Sequence, residues 1–274
     1  MSTVCAGPPA GVTGQGQSQA LRLLALDTST ERMSVAACRP DEDGSARLWR
    51  AEGVGGAAAS RGLLPMIRAV LAQAGLAVTD LDAIVFGRGP GAFTGLRAAC
   101  AVAQGLALGG RAGTARPPLP VLPLDSLLAL AEVARWQHAP LQPRWDVLAM
   151  LDARMDELYL GRYRWDAGHW QTLQAPLLGR AQDLAVQSDE AMAGNVFETY
   201  GARLPPATSR QPRIPAWPMA DAMLRLAPAL LTQGLAVDAA LALPLYVRDK
   251  VAFTTQERAQ ARVAPAVAAA GAHR

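Results

Sequence analysis

A glycine-rich segment between a predicted strand and a predicted helix is the part of this sequence best suited to bind a charged ligand. It reads Gly-Arg-Gly-Pro-Gly-Ala-Phe-Thr-Gly over residues 87–95, after the apolar run 83–86 and before the helical pattern 96–108. A helix that begins at such a loop presents free backbone N–H groups, which attract anions. The loop therefore predicts a phosphate site, with a turn that serves packing alone as the alternative.

Two common nucleotide motifs do not account for this loop. A P-loop requires Gly-Lys followed by Ser or Thr, whereas Gly95 is followed by Leu96 and Arg97. A dinucleotide fingerprint requires an acidic residue about 20 residues downstream, and the sequence has no Asp or Glu between Asp82 and Asp125. The sequence thus excludes the first motif and disfavours the second.

A polar cluster at residues 27–30, Asp-Thr-Ser-Thr, ends the first apolar run and could also meet a nucleotide. A carboxylate with hydroxyl groups beside it suits hydrated Mg²⁺ and phosphate, whereas a hydrogen-bonded turn is the alternative. The same pattern of apolar run, Asp, polar turn and second apolar run recurs at Asp152. Together with the glycine loop, this repeat favours a nucleotide-binding type of fold made of two related halves.

Two predicted helices carry more apolar and small residues than one buried face requires. The apolar stripe of 63–74 is wide, and small residues lie on several sides of 96–108. Such faces are typical of helices that pack against a second chain, with complete burial inside this chain as the alternative. The residues predicted to contact a partner are Leu63, Leu64, Met66, Ile67, Val70, Leu71, Arg97, Ala99, Cys100, Ala103 and Leu106.

The remaining periodicity predicts an α/β body between two polar or alanine-rich ends. Strands are predicted at 21–26, 33–38, 46–52, 83–86, 120–122, 147–151, 158–163 and 243–247, and further helices at 125–135 and 219–232. Residues 1–20 and 257–274 are predicted to be disordered extensions. A first subdomain is predicted over 21–115, completed by a returning helix at about 219–234, and a second over 116–256.

Composition narrows the class of protein. The chain is 51% hydrophobic, carries a net charge of +3, and has three cysteines and three histidines. The cysteines form no Cys-x-x-Cys pair and the histidines no His-x-x-x-His pair, so neither a disulfide framework nor a transition-metal hydrolase is expected. With no secretion signal and no apolar run of membrane-spanning length, the sequence predicts a cytoplasmic protein with no membrane contact.

Five motifs in order identify a family. They are Leu-Ala-Leu-Asp-Thr-Ser-Thr-Glu at 24–31, the glycine loop with Leu-Arg at 87–97, Gln-Gly-Leu-Ala at 104–107, Asp-Ala-Arg-Met-Asp-Glu-Leu-Tyr at 152–159 and Pro-Leu-Tyr-Val-Arg at 244–248. The chain resembles the bacterial TsaB (YeaZ) family of tRNA threonylcarbamoyladenosine biosynthesis proteins over nearly all of 21–250. The resemblance implies the actin/Hsp70/sugar-kinase-like (ASKHA) fold, with two duplicated α/β subdomains that have mixed sheets.

The resemblance also implies a role as an accessory subunit. Members of the family support the catalytic paralogue TsaD, together with the ATPase TsaE, in a complex that transfers threonylcarbamoyl to the tRNA adenosine next to the anticodon. The implied partners are TsaD as a heterodimer, TsaE, a second copy of the chain when it is alone, and tRNA through the complex. A stand-alone ATP-dependent transferase of the same superfamily and, less favoured, a glycoprotease are the alternatives.

Site residues follow from the same resemblance. It implies no catalytic residue, no metal and no intrinsic cofactor, with ATP or ADP and Mg²⁺ as ligands of the complex. It maps the partner surface onto helices 63–74 and 96–108, and one departure is Ala59, where family members often carry His. The residues that map onto the phosphate site of the superfamily are Asp27, Thr28, Ser29, Gly89, Gly91, Thr94 and Gly95.

Overall fold

Two five-stranded mixed sheets form the framework of the part of the chain that the structure describes. The computed structural model describes residues 21–248, so the extensions predicted at 1–20 and 257–274 lie outside the described residues. The first sheet contains β1 (Leu23–Asp27), β2 (Arg32–Pro40), β3 (Ala46–Val54), β4 (Ala83–Gly89) and β5 (Val121–Asp125). The second contains β6 (Arg144–Arg154), β7 (Glu157–Asp166), β8 (His169–Gly179), β9 (Glu190–Gly194) and β10 (Arg213–Pro215).

The two sheets have the same topology. Their strand orders are β3-β2-β1-β4-β5 and β8-β7-β6-β9-β10, and in each sheet the first three strands are antiparallel and the last two join in parallel. The repeat extends to single hydrogen bonds. Ser29 N donates to Asp27 Oδ1 at 2.8 Å, and Arg154 N donates to Asp152 Oδ1 at 2.7 Å. The duplicated α/β fold predicted from the two Asp motifs is thus confirmed.

Between residues 21 and 248, five α-helices cover the sheets: α1 (Ala59–Ala74), α2 (Phe93–Gly109), α3 (Ser126–His138), α4 (Phe197–Tyr200) and α5 (Ala220–Thr232). Helices α1 and α2 pack side by side on one face of the first sheet, where Leu63, Ile67 and Val70 share a core with residues of β1 and β4. Gly75 ends α1 in the left-handed region with φ 65, as its position after the apolar pattern predicts.

The last helix of each half packs mainly on the opposite sheet. Helix α5 follows β10 of the second sheet, yet Ala220, Met223 and Ala227 are buried against β1, β2 and β4 of the first. Helix α3 follows β5 of the first sheet, yet Leu127 and Leu130 belong to the core of the second. Each lobe, meaning a sheet with the helices that cover it, therefore depends on a helix encoded next to the other sheet.

The pairing of β5 shows where the first lobe ends relative to the predicted boundary between the subdomains. The first subdomain predicted over 21–115 stops before β5, which pairs with β4 and completes the first sheet. The stretch from 121 to 125 thus belongs to the first lobe. Helix α5 occupies the place predicted for the returning helix at about 219–234. Periodicity defines an element, but only pairing shows which sheet the element joins.

A buried ionic network connects α3 to α5. Glu132, which is only 2% exposed, accepts hydrogen bonds from Arg135 Nε at 3.0 Å, Arg225 Nε at 3.1 Å and Trp170 Nε1 at 3.0 Å. A buried carboxylate is tolerated when several donors compensate its lost hydration, as they do here. The network fixes the two exchanged helices to each other and to β8.

The segment 242–248 is not the strand predicted at 243–247. It is irregular, and Leu245 N donates to Arg88 O at 2.7 Å as an isolated contact rather than as part of a ladder. The apolar residues that suggested a strand contact different parts of the molecule, since Tyr246 meets Phe93 and Val247 packs on the core of the second lobe. No helix within residues 21–248 is long and apolar enough to cross a membrane.

Candidate functional site

A cavity of about 380 Å³ lies between the two lobes, at the ends of β1 and β6 where the two Asp motifs are found. Its first wall contains the turn after β1 and the start of α2, and its second wall the turn between β6 and β7. The lining residues include Ser29, Thr30, Glu31, Gly91, Phe93, Leu96, Leu151, Asp152, Arg154, Met155, Tyr159, Asn195, Leu245, Tyr246, Val247 and Arg248. A cavity of this size and mixed polarity suits a small molecule.

Asp27 is closed off from this cavity. The residue is fully buried, and its Oδ1 accepts hydrogen bonds from Ser29 N at 2.8 Å and Ser29 Oγ at 2.6 Å. Its Oδ2 accepts from Ser126 Oγ at 2.9 Å, and a Cβ added at Gly87 would lie 1.8 Å from that oxygen. Burial raises the pKa of Asp27 above its ordinary value, and the hydrogen bonds from Ser29 and Ser126 offset part of that effect.

The surroundings of Asp27 do not fit a magnesium ion. Both carboxylate oxygens already accept hydrogen bonds, and no solvent reaches them. Magnesium keeps several water ligands around one or two protein carboxylates, which needs open space at the oxygen. The hydrogen-bonded turn, considered as the alternative for residues 27–30, describes this conformation.

The glycine loop packs directly on the same turn. Thr28 Oγ1 donates to Gly95 O at 2.7 Å, and Ala92 N donates to Ser29 O at 2.7 Å. A Cβ at Gly91 would lie 2.3 Å from Ser29 O, and a Cβ at Gly95 would lie 1.9 Å from Thr28 O. Glycine is therefore required at both positions by close backbone packing, whether or not a ligand binds.

The remaining residues mapped to a phosphate site have different surroundings. Gly89 has φ 115, a conformation that favours glycine, and lies against Leu245 O. Thr94 is exposed in the first turn of α2, and the residue before that helix, Ala92, provides no side-chain cap. The helix start lines the cavity through Ala92 and Phe93, so its uncapped end is the part of the first wall that still suits an anion.

The second wall contains polar residues that already pair with each other. Asp152 accepts hydrogen bonds from Arg154 N at 2.7 Å and Tyr200 Oη at 2.8 Å, and its own N–H donates to Asn195 Oδ1 at 3.0 Å. Burial and the hydrogen bond to Asp152 raise the pKa of Tyr200 to about 12. Sequence reasoning missed Asn195 and Tyr200, because they lie more than forty residues from Asp152 in the chain and belong to no motif.

Glu31 joins the two lobes across the cavity. Its carboxylate accepts from Trp217 Nε1 at 2.6 Å and from Asn195 Nδ2 at 3.4 Å. The two acidic residues that line the cavity, Glu31 and Asp152, thus both accept side-chain hydrogen bonds. Such an arrangement positions groups and holds the lobes together rather than providing a free general base.

Most residues predicted to contact a partner are buried inside this chain. The buried ones are Leu63, Ile67, Val70, Leu71, Ala99, Cys100 and Ala103. The physical reason is that α1 and α2 are covered by the sheet and by each other, and α2 also by the turn at 239–241. Leu64 is 43% exposed and Arg97 is exposed, while Met66 and Leu106 are partly buried. The exposed apolar residues Leu64 of α1 and Leu108 of α2 define what we call the outer surface of these helices, whereas the exposed Arg97 contacts Phe93 and Tyr246 beside the cavity.

The sequence of this chain is similar to those of known proteins. Residues 56–256 match the family model described as TsaD: tRNA N6-adenosine threonylcarbamoyltransferase. The chain is 40% identical to the tRNA threonylcarbamoyladenosine biosynthesis protein TsaB of Haemophilus influenzae over 149 residues, which is 53% of this chain and 54% of that protein. It is 29% identical to the protein of that name from Escherichia coli over 247 residues, covering 85% of this chain and 97% of that protein.

A solved structure agrees with these matches. The structure described as YeaZ from Pseudomonas aeruginosa superposes with a TM-score of 0.69 at 37% sequence identity. The match covers 82% of this chain and 99% of that chain. Fold and sequence therefore indicate the same relatives.

Proposed function

The chain belongs to the TsaB (YeaZ) family, and from this we propose that it is a non-catalytic partner subunit in tRNA threonylcarbamoyladenosine biosynthesis. In the proposed complex it supports TsaD, which installs threonylcarbamoyl on the tRNA adenosine next to the anticodon, together with the ATPase TsaE. The observation that carries this proposal is the closed environment of Asp27, whose two oxygens are buried and hydrogen-bonded. A nucleotide site with Mg²⁺ at Asp27, as the sequence motif suggested, would need that carboxylate open to the ion and its water ligands.

The closed environment of Asp27 also bears on whether the chain binds a cofactor. We propose that the chain has no cofactor of its own and that ATP or ADP with Mg²⁺ enters with the other subunits. Among residues 21–248 there is no group of three or more His, Cys, Asp or Glu side chains that could hold a metal ion. Contact with tRNA is proposed to be made through the complex.

The outer surface of α1 and α2 is the proposed site of pairing with TsaD, or with a second copy when the chain is alone. Leu64 of α1 and Leu108 of α2 are 43% and 57% exposed, and Gly105, one turn before Leu108 on α2, has open space beside it. Leu241, which is 66% exposed, lies in the turn that packs on α2. Exposed apolar side chains mark surfaces that bind other chains, and small residues allow helices to approach closely.

Size-exclusion chromatography with light scattering tests the pairing. The chain is measured alone and mixed with TsaD of the same organism, and a mixed complex is expected. The double variant Leu64→Asp with Leu108→Asp places two charges on the proposed surface and should weaken the complex by roughly a hundredfold, since each buried unpaired charge costs more than 1 kcal/mol.

Leu141→Asp is the matched control, because Leu141 is 79% exposed just after α3, in the second lobe. It should leave the complex intact. Pairing that survives the double variant would contradict the proposed surface. No complex at all, with or without ATP and Mg²⁺, would contradict the proposed partner role.

A further inference from the structure

The segment 242–248 is attached to the first lobe by its backbone and by one aromatic ring. Ala242 O accepts hydrogen bonds from Cys100 Sγ at 3.0 Å and Gln104 Nε2 at 3.2 Å, both on α2. Leu245 N donates to Arg88 O at 2.7 Å in the glycine loop. The Tyr246 ring packs in a tilted arrangement on Phe93, with the ring centroids 5.2 Å apart, and its hydroxyl accepts a hydrogen bond from Arg97 Nε at 3.2 Å. These contacts position the segment along the start of α2.

The last two residues of the same segment attach it to the second lobe. Val247 packs on the core of the second sheet, and Arg248 forms an ion pair with Glu157. The Arg248 guanidinium also donates to Ala153 O at 3.1 Å and Arg154 O at 3.3 Å. Its side chain is only 12% exposed, so these contacts are well shielded from water. The segment therefore bridges the two lobes along the wall of the cavity.

The part of the second lobe that Arg248 holds is strained. Arg154, Met155 and Asp156 form the turn between β6 and β7 with φ of 62, 56 and 63, three consecutive non-glycine residues in the left-handed region. Each such residue costs free energy and persists only where its surroundings impose the conformation. Arg248 binds the two carbonyl groups at the start of this turn and the carboxylate after it. The guanidinium thus supplies an external support for the turn.

We propose that residues 242–248 act as a latch that holds the two lobes closed on the cavity and that opens at Arg248. The first-lobe end has several independent attachments, whereas the polar contacts of the second-lobe end all pass through one guanidinium group. Loss of these contacts lets the strained turn relax and move away from the first wall of the cavity, while the contacts of Glu31 with Trp217 and Asn195 remain. The proposed latch depends only on the contacts of residues 242–248 and is independent of the proposed function.

Hydrogen exchange measured by mass spectrometry on the full chain tests the latch. Arg248→Ala should accelerate exchange roughly tenfold at the turn 153–157, which loses its support, and at the facing segment 88–97, which becomes exposed to solvent when that turn moves away. The centres of β1 and β9 should exchange at the wild-type rate. Arg248→Lys keeps a cation near Glu157 but cannot reach every acceptor, so its rates should lie between those of the wild type and of Arg248→Ala.

The matched control is Arg210→Ala, which removes an exposed arginine outside the latch and should leave every rate unchanged. Unchanged rates at 153–157 in Arg248→Ala would overturn the proposal. An equal acceleration throughout both sheets would also overturn it, since that pattern indicates global loss of stability. If Arg248→Ala does not fold, Glu157→Gln removes the charge of the partner at nearly constant shape and should accelerate the same two segments to a smaller extent.

Discussion

At the scale of single residues, the two Asp motifs have the same turn but different surroundings. Asp27 and Asp152 each accept a hydrogen bond from the backbone N–H two residues later, yet only Asp152 lines the cavity. The difference arises from distant residues. Ser126 and Gly87 enclose Asp27, whereas Tyr200 and Asn195 lie beside Asp152. Sequence alone could predict the repeat, but not these neighbours.

The first prediction concerns the charge on Asp27. Burial raises its pKa in the folded state, so the native chain binds this proton more tightly than the unfolded chain. The stabilisation from that proton is complete below the ordinary value near 3.8 and is lost as the pH rises through the raised folded value. Asp27→Asn keeps an acceptor for Ser29 and carries no titrating proton. The free energy of unfolding of the wild type should therefore fall, relative to that of Asp27→Asn, as the pH rises above about 4.

Urea unfolding of both proteins over a series of pH values measures this difference. Other groups with shifted pKa, such as Asp43 and Asp146, are present in both proteins and cancel in the comparison. Parallel curves for the two proteins would show that the Asp27 pKa is not raised.

At the scale of elements, α2 contains glycines with opposite roles. Gly95 lies where a Cβ would meet the Thr28 carbonyl, whereas a Cβ at Gly105 would meet nothing within 4 Å. The strand-loop-helix pattern was sufficient to predict the helix. It could not tell which glycines are required, because that depends on contact with the turn after β1.

Two substitutions in this helix should act in opposite directions. Gly95→Ala forces two backbone segments apart and should lower the free energy of unfolding by about 1–3 kcal/mol. Gly105→Ala should raise it by up to about 1 kcal/mol, since alanine favours a helix and has room here. Chemical denaturation of the two variants checks both signs. A neutral Gly95→Ala would mean that the loop and the turn are not in close contact.

At the scale of the whole molecule, the sequence predicted the architecture well and the surfaces poorly. Hydrophobic periodicity and the repeated Asp motif were sufficient for two related α/β halves. They overestimated the exposed surface of α1 and α2, because periodicity counts apolar residues but not the number of neighbours that cover them. The strand predicted at 243–247 failed for a related reason, since its apolar residues contact two different lobes.

The exchanged helices predict that a core mutation in each helix destabilises the sheet on which that helix packs. Met223 of α5 and Leu130 of α3 are each fully buried, the first against the first sheet and the second in the core of the other sheet. Met223→Ala and Leu130→Ala should each cost about 2–5 kcal/mol. Hydrogen exchange should then accelerate most in β1 and β2 for Met223→Ala, and most in β6 and β7 for Leu130→Ala. Acceleration in the sheet that precedes each helix in the chain would contradict the exchange.

The position of α5 late in the chain also delays folding of the first sheet during synthesis on the ribosome. One face of β1 is covered by a helix that is translated about 200 residues later, which at about 5–20 residues per second is a delay of about 10–40 s. Until then Leu23 and Ala25 lack the α5 residues that complete their core. Strand β1 is therefore made early but completed late, and the nascent chain has a long interval in which chaperones can bind it.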